Sequence, residues 1–375
     1  MKMKAVVGAC LVAMSGIAQA QSSVTLYGIV DGSMMWQTTS AASYSTKAKN
    51  AGSLVRYKDG GVYASFWGMR AVEDLGGGYQ VIAQLQGTFD SGTGKLGLGD
   101  SSAPSSTLFT QISTIGVSGG FGTIKVGRQY APMILALTDT DVRHAEYFGS
   151  ILTGLIGLNS AAGWVGASTN GAIGAVYDSN AIVYTSPVLG GLSAILEYAP
   201  GGVSGSLQGN TRESAVLRYD GYGLKVAAIY YNGHDTNPGA ATIANGLNNN
   251  RFVSVSALYS RSGFSVSGSY SNGRNPSSSN TVDLDMISGG LAYQFTPAFS
   301  MSSAVYFLKD RNNSANESTA YSLSADYSLS KATMVYANVG HVSNRGTMNQ
   351  SLVYGQPVAP GTGTTAAMIG LRHRF

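Results

Sequence analysis

Three spacings in this chain of 375 residues could do chemistry. His341-x-Ser343 places an imidazole and a hydroxyl two residues apart, on one face of a strand, where a base can activate a nucleophile. The sequence offers no third polar group to orient the imidazole, and His341 stands where an alternating run gives way to a polar stretch. Gly92-x-Gly94-x-x-Gly97 matches a dinucleotide pattern, yet it lies in a long polar segment with no helix to follow, so the phosphate-cradling context is missing. Asp139, Asp141, His144 and Glu146, with Arg143 among them, could gather around a divalent cation. The plainer reading is a set of loop charges. His144, His234 and His373 are scattered without metal-ligand spacing. No enzyme chemistry, cofactor or metal is therefore expected.

Composition narrows the classes. Charged residues are 11%, less than half the roughly 25% of an ordinary soluble domain. Basic and acidic residues nearly balance (23 against 19) and aromatics reach 10%, which excludes a disordered chain. Beyond residue 20 the longest apolar run, Ile151 to Leu158, holds two glycines and is too short for a membrane helix. One cysteine excludes a disulfide scaffold. What remains is rich in Gly, Ser, Tyr and Val, a composition that favours β-structure.

The first twenty residues read as an export leader: Lys2 and Lys4, an apolar stretch from Ala5 to Ile17, and the small-x-small site Ala18-Gln19-Ala20. Val7-Gly8-Ala9-Cys10 resembles a lipoprotein cleavage site only faintly, because too short an apolar core precedes the cysteine. Cleavage after Ala20 leaves residues 21–375 as one barrel domain. Loss of Lys2 and Lys4 leaves 21 basic against 19 acidic side chains, so the pI of 8.9 says nothing in favour of a nucleic-acid partner.

Period-2 alternation dominates the body. Val253, Val255, Ala257 and Tyr259 alternate with Ser254 and Ser256; Phe264, Val266, Gly268 and Tyr270 alternate with Ser265, Ser267 and Ser269. Connections also alternate. Short ones lie at 75–78, 119–122, 187–191, 220–223, 261–263, 296–298 and 329–331. Long polar ones lie at 39–52, 90–106, 129–178, 200–211, 232–249, 272–281, 310–318 and 343–363. Fifteen connections predict sixteen strands of about the length that a tilted membrane strand requires. A soluble sandwich would crowd its core with large side chains. Here one face is Ser, Gln, Thr and Gly. The other is Val, Ala and Leu, with Tyr184, Tyr198, Tyr219, Tyr230, Tyr259, Tyr270 and Tyr327 at strand ends, as in an interfacial girdle. The expectation is an all-β, 16-stranded antiparallel transmembrane β-barrel, with Ile369, Leu371 and Phe375 on a last strand that zips to a first strand at Ser23 to Val30.

Several segments resemble the trimeric general porins of Gram-negative outer membranes, of the betaproteobacterial type. Ser22-Ser-Val-Thr-Leu-Tyr-Gly-Ile-Val-Asp31 resembles that family's first strand. Glu73-Asp-Leu-Gly-Gly-Gly78 resembles its first turn, and Phe121-Gly-Thr-Ile-Lys-Val-Gly-Arg-Gln-Tyr130 its fifth strand and the entry to its third loop. Tyr184-Thr-Ser-Pro187, Tyr327-Ser-Leu-Ser-Lys331 and Gly370-Leu-Arg-His-Arg-Phe375 are similar to its later turns and closing strand. The resemblance implies a homotrimer embedded in outer-membrane lipid, with passive diffusion of ions and small hydrophilic solutes. The chain departs from the family where wall arginines are usual: the matching positions are Phe66, Gln111 and Tyr177. Strong anion selectivity is therefore not carried over.

A sixteen-stranded barrel encloses a water-filled lumen, whose bore is set by what folds into it. The third long loop, at 129–178, is well past the length at which an unstructured loop is usual. Folded inward, it would bring Asp139, Asp141, Arg143 and Glu146 opposite the wall. Alternation turns Asp31, Arg70, Lys125, Glu197, Arg218, Lys225, Asp326, Arg372 and Arg374 toward the lumen, and Arg128 joins Arg70 and Lys125 as a constriction candidate. The expected function is a weakly selective diffusion channel. The alternatives are a substrate-specific channel for a sugar or organic acid, and a non-conducting surface barrel.

Overall fold

The alternating runs become seventeen strands: β1 (Ser23–Gln37), β2 (Leu54–Asp59), β3 (Phe66–Gly76), β4 (Tyr79–Thr88), β5 (Ile112–Gly119), β6 (Gly122–Tyr130), β7 (Tyr177–Thr185), β8 (Leu192–Ala199), β9 (Arg212–Gly221), β10 (Leu224–His234), β11 (Asn249–Arg261), β12 (Phe264–Arg274), β13 (Asp283–Gln294), β14 (Phe299–Asp310), β15 (Glu317–Ser328), β16 (Thr333–Asn344) and β17 (Thr364–Arg374). The computed structural model describes residues 23–97, 107–162, 173–236, 246–247, 249–275 and 282–375. The export leader read at 1–20 lies outside them.

Every strand pairs antiparallel with its neighbours, and β1 pairs with β17 from Ile29↔Arg374 to Gln37↔Ala366, so the sheet closes. The seventeen segments make sixteen staves. β1 carries β3 along Ser23–Ile29 and β2 along Gly32–Gln37, so β2 and β3 are successive parts of one stave. The unbroken second strand implied by the sequence is thus interrupted at 60–65. There the buried Asp31 carboxylate accepts the N–H groups of Gly61 (3.2 Å), Val62 (3.0 Å) and Tyr63 (3.1 Å) and the Tyr336 hydroxyl (2.5 Å). Backbone donors that leave the ladder thus meet a charged acceptor, and the break is stable. Asp31 faces inward as alternation requires, but as an anchor within the wall.

The alternation sorts lipid from lumen. Val253 and Val255 are exposed on the outer face while Ser254 and Ser256 beside them are buried inside. Accessible area is thus greatest on the apolar face, the reverse of a soluble protein, as a barrel whose outer band meets lipid demands. Rings cluster near the short turns, where Tyr79 stacks on Phe121 and Phe264 lies 4.2 Å from Tyr293. At the seam, Gly28 and Phe375 exchange backbone hydrogen bonds of 3.0 and 3.1 Å. A Cβ on Gly28 would lie 2.3 Å from the Phe375 ring, so only glycine seats that ring against the first stave.

Among its described residues the loop after β6 holds two helices, α1 (Pro132–Thr140) and α2 (Ile151–Ala161). Pro132 starts α1, where a missing N–H costs nothing. Ser150 caps α2, its hydroxyl accepting from Leu152 N–H (3.1 Å), and its own N–H donates to Thr153 Oγ1 (3.1 Å) in a reciprocal box. α1 packs on β9, β10 and β11, and α2 on β13 and β14.

Candidate functional site

The long loop is tied to the inward faces of the staves by named contacts. Thr140 Oγ1 bonds Ser256 Oγ (2.7 Å), Val142 N–H donates to Ser267 Oγ (3.2 Å), and the Ser322 hydroxyl donates to Gly149 O (2.7 Å). Arg143 is the strongest tie. Fully buried, it donates to Ser302 Oγ (2.8 Å), Phe148 O (2.9 Å) and Asn338 Oδ1 (3.1 Å), and pairs with Glu146 at 2.9 Å. His144 and Ala145 take φ of +47° and +56°, two consecutive residues in the left-handed region. Such strain persists only where neighbours hold it. Here the Tyr63 hydroxyl donates to His144 O (2.8 Å), and Asp141 accepts from the Tyr306 hydroxyl (2.8 Å) and Ile151 N–H (3.2 Å).

The four residues considered for a cation are therefore engaged separately. Asp139 pairs with Arg218 on β9, Asp141 with Tyr306 on β14, and Glu146 with Arg143, while His144 Nδ1 lies 3.2 Å from Thr138 O. Among the described residues no metal-ligating cluster forms. Gly92 and Gly94 sit in a turn closed by a Phe89–Leu96 bridge, with no helix following Gly97 among the described residues. His341 and Ser343 are exposed on the outer face of β16, and His341 Nδ1 lies 2.9 Å from Thr365 Oγ1. The sequence had shown no orienting partner; the neighbouring strand supplies a hydroxyl, which fixes a ring but lacks the charge to stabilise an imidazolium.

Phe66, Gln111 and Tyr177, far apart in sequence, line one cavity of about 300 Å³ between the loop and the wall. Arg374 lines it too, beside Ile29, which pairs with both Arg374 and Phe66. Leu135 of α1 faces them from the loop. Arg372 lies with its guanidinium carbon 5.9 Å from the Tyr63 ring. Arg70 and Lys125 turn inward nearer the short-turn end, close enough to repel each other. Arg128 stands apart from this group, donating to Thr110 O (2.7 Å) and Ser179 Oγ (2.7 Å) beside the Tyr177 ring. Sequence reading missed Tyr63, Tyr130, Tyr147 and Tyr354, which also line the cavity. Tyr130 ended the fifth-strand match and could have been found by register; the other three sit in segments without periodicity.

Burial pushes the Glu146 carboxyl up to about 7, against the pull of Arg143; Asp326 and Asp141 add to the rise, and Arg372 opposes it. A carboxyl with a raised value is neutral below it and anionic above. Acidification from pH 8 to pH 6 therefore removes one negative charge beside Arg143 and leaves the lumen more positive. Reversal potentials in a salt gradient are expected to shift toward the anion's equilibrium potential over that range, and Glu146→Gln to abolish the shift. An unchanged pH response in Glu146→Gln would place the titrating group elsewhere.

A closed antiparallel barrel of sixteen staves, apolar outside, polar inside and narrowed by its own loop, defines a channel-forming protein of the bacterial outer membrane. The family profile for Gram-negative porins matches residues 7–347, and the chain belongs to that family. Outer membrane porin protein 32 of Delftia acidovorans is 27% identical over 392 residues, spanning 99% of each chain. An outer membrane porin protein of Bordetella pertussis is 32% identical over 208 residues, covering 53% of this chain and 48% of its own. Among solved structures, an anion-selective porin from Comamonas acidovorans superimposes with a TM-score of 0.75 at 22% identity, covering 95% of this chain and 100% of its own. The protein is an outer-membrane porin and a passive channel, and the family and fold are those of non-enzymatic channels.

Proposed function

We propose that the channel passes ions and small hydrophilic solutes by diffusion, as a homotrimer without catalytic activity, with a modest preference for anions. One observation carries the preference. Arg70, Lys125, Arg372 and Arg374 face the lumen with no ion-pair partner among the described residues, whereas Asp139, Asp178 and Glu146 are each paired with an arginine. Asp326, facing Arg143 and Arg372 without an ion pair, offsets part of this surplus. The preference stays modest because Phe66, Gln111 and Tyr177 add no charge to the cavity between loop and wall. The anion selectivity named for the Comamonas acidovorans porin agrees in sign.

The test is the zero-current potential of single channels in a potassium chloride gradient. A chloride-over-potassium permeability ratio above one is expected. A ratio below one would overturn the reading, and absence of any step-like conductance would favour the surface-barrel alternative.

A further inference from the structure

The cavity between loop and wall is a poor match for a pore that treats all small solutes alike. Tyr63, Phe66, Tyr130, Tyr147 and Tyr177 surround it, with Leu135 facing them from α1. Neighbouring rings already meet at their edges: Tyr27 and Phe66 at 6.2 Å and 70°, Tyr63 and Tyr147 at 6.4 Å and 75°. Among the described residues its one charged lining residue is Arg374, and no carboxylate lines it. Arg374 and Phe66 flank Ile29 on adjacent staves, so their Cα atoms stand about 10 Å apart, two strand spacings. A volume of about 300 Å³ is at the low end of ligand-sized pockets and suits a single-ring molecule.

We infer that this cavity is a binding site for small aromatic carboxylates, the ring lying among Phe66, Tyr63 and Tyr177 and the carboxylate facing Arg374. The inference rests on the channel reading above and names the solute class of the same site. Ring faces and edges favour a flat π-system over an aliphatic group of equal size. The Arg374 guanidinium in the lining favours a carboxylate, which it can grip through paired N–H groups. A sugar fits less well, because it needs many hydrogen-bond partners and the polar groups here are engaged with one another. Gln86 donates to Gln111 (2.5 Å) and accepts from Tyr27 (2.8 Å), Thr138 donates to Ile134 O (2.7 Å), and the Tyr63 hydroxyl is held by His144 O.

The experiment uses the folded full-length protein in planar bilayers, first in potassium chloride alone and then with added sodium benzoate, cyclohexanecarboxylate or gluconate. Benzoate is expected to interrupt the chloride current at lower concentration than cyclohexanecarboxylate, and gluconate to have the least effect. Phe66→Leu keeps apolar bulk but removes the ring, and is expected to weaken the benzoate effect roughly two- to tenfold. Phe66→Tyr is expected to retain it, and Arg374→Gln to weaken it roughly tenfold or more. Wild-type and variant conductances in chloride alone report whether each channel has folded. Equal action of benzoate and cyclohexanecarboxylate in a conducting channel, or an undiminished effect in Phe66→Leu, overturns the aromatic site alone. Absence of any chloride or potassium current overturns the channel reading and this inference with it.

Discussion

Arg143→Ala is expected to unfasten the constriction loop while leaving the barrel closed. The guanidinium is the point at which the loop meets β14 and β16, through Ser302 and Asn338, at which the loop's own Phe148 carbonyl finds a donor, and at which the Glu146 carboxyl finds an opposite charge. Removing it leaves the buried Phe148 carbonyl and the Asn338 amide oxygen without that donor, at about 1–3 kcal/mol each. That shifts the equilibrium between docked and undocked loop by roughly two to four orders of magnitude. The stave ladder does not pass through Arg143, so the protein is expected still to migrate as a folded, heat-modifiable barrel. The single-channel record is expected to change in mean conductance and to show excess open-channel noise. Arg143→Lys keeps the charge but not the planar fork, and an intermediate record is expected. Identical conductance and noise in wild type and Arg143→Ala would show that the loop is held by its helices alone.

Converting Arg70, Lys125, Arg372 and Arg374 together to glutamine is expected to remove the anion preference and bring the permeability ratio to one or below. The argument is one of magnitude. A unit charge a few ångströms from a passing ion in water is worth about 1 kcal/mol, roughly fivefold in local concentration. Beyond about 10 Å that influence is screened at ordinary salt. Arg372 and Arg374 stand two residues apart on one face of β17, and Arg70 and Lys125 repel each other from β3 and β6, with β4 and β5 between them, so a permeating anion meets them as two successive pairs. The acids of the loop cannot take over as attractive centres for cations while Asp139 and Glu146 remain held by arginines. The expected signature is a loss of selectivity that is larger at low salt than at high salt. A quadruple variant that keeps the wild-type ratio would place the filter in the external loops instead.

The short turns could be read from the chain because their chemistry is local. Asp220-Gly-Tyr-Gly223 and Arg261-Ser-Gly263 announce themselves by composition, and the structure puts β9–β10 and β11–β12 around them. Register follows from alternation, and it sets Arg70 opposite Thr25, Lys125 opposite Gly116, Arg372 opposite Asp31 and Arg374 opposite Ile29. The break at 60–65 was missed although Asp59-Gly60-Gly61 marked it, because what stabilises it is Asp31, a carboxylate thirty residues earlier. The helices of the long loop left local traces as well: Pro132 before an apolar run, and Ser150 three residues ahead of Thr153. The Ile151–Leu158 run was weighed only as a membrane span, whereas it is buried against the staves inside the barrel. The aromatic ring of the cavity was half legible. Phe66 and Tyr177 stood out as departures from a resemblance, but Tyr63, Tyr147 and Tyr354 enter through loops whose paths no periodicity records.

The pairing of β1 with β17 bears on how the molecule is made. Neighbouring staves are close in sequence and can form as hairpins on a microsecond scale. The seam joins Ile29 to Arg374, nearly the whole chain apart, and cannot form until all the intervening staves are in order. Until then the assembly has two raw edges of unpaired backbone, a template for aggregation in water and an intolerable exposure in hydrocarbon. Closure of so distant a pair carries a loop-closure cost that no hairpin in the sheet carries, which makes it a late step of maturation. A substitution at the seam, such as a side chain in place of Gly28, therefore acts on the yield of finished channels more than on the conductance of those that do form.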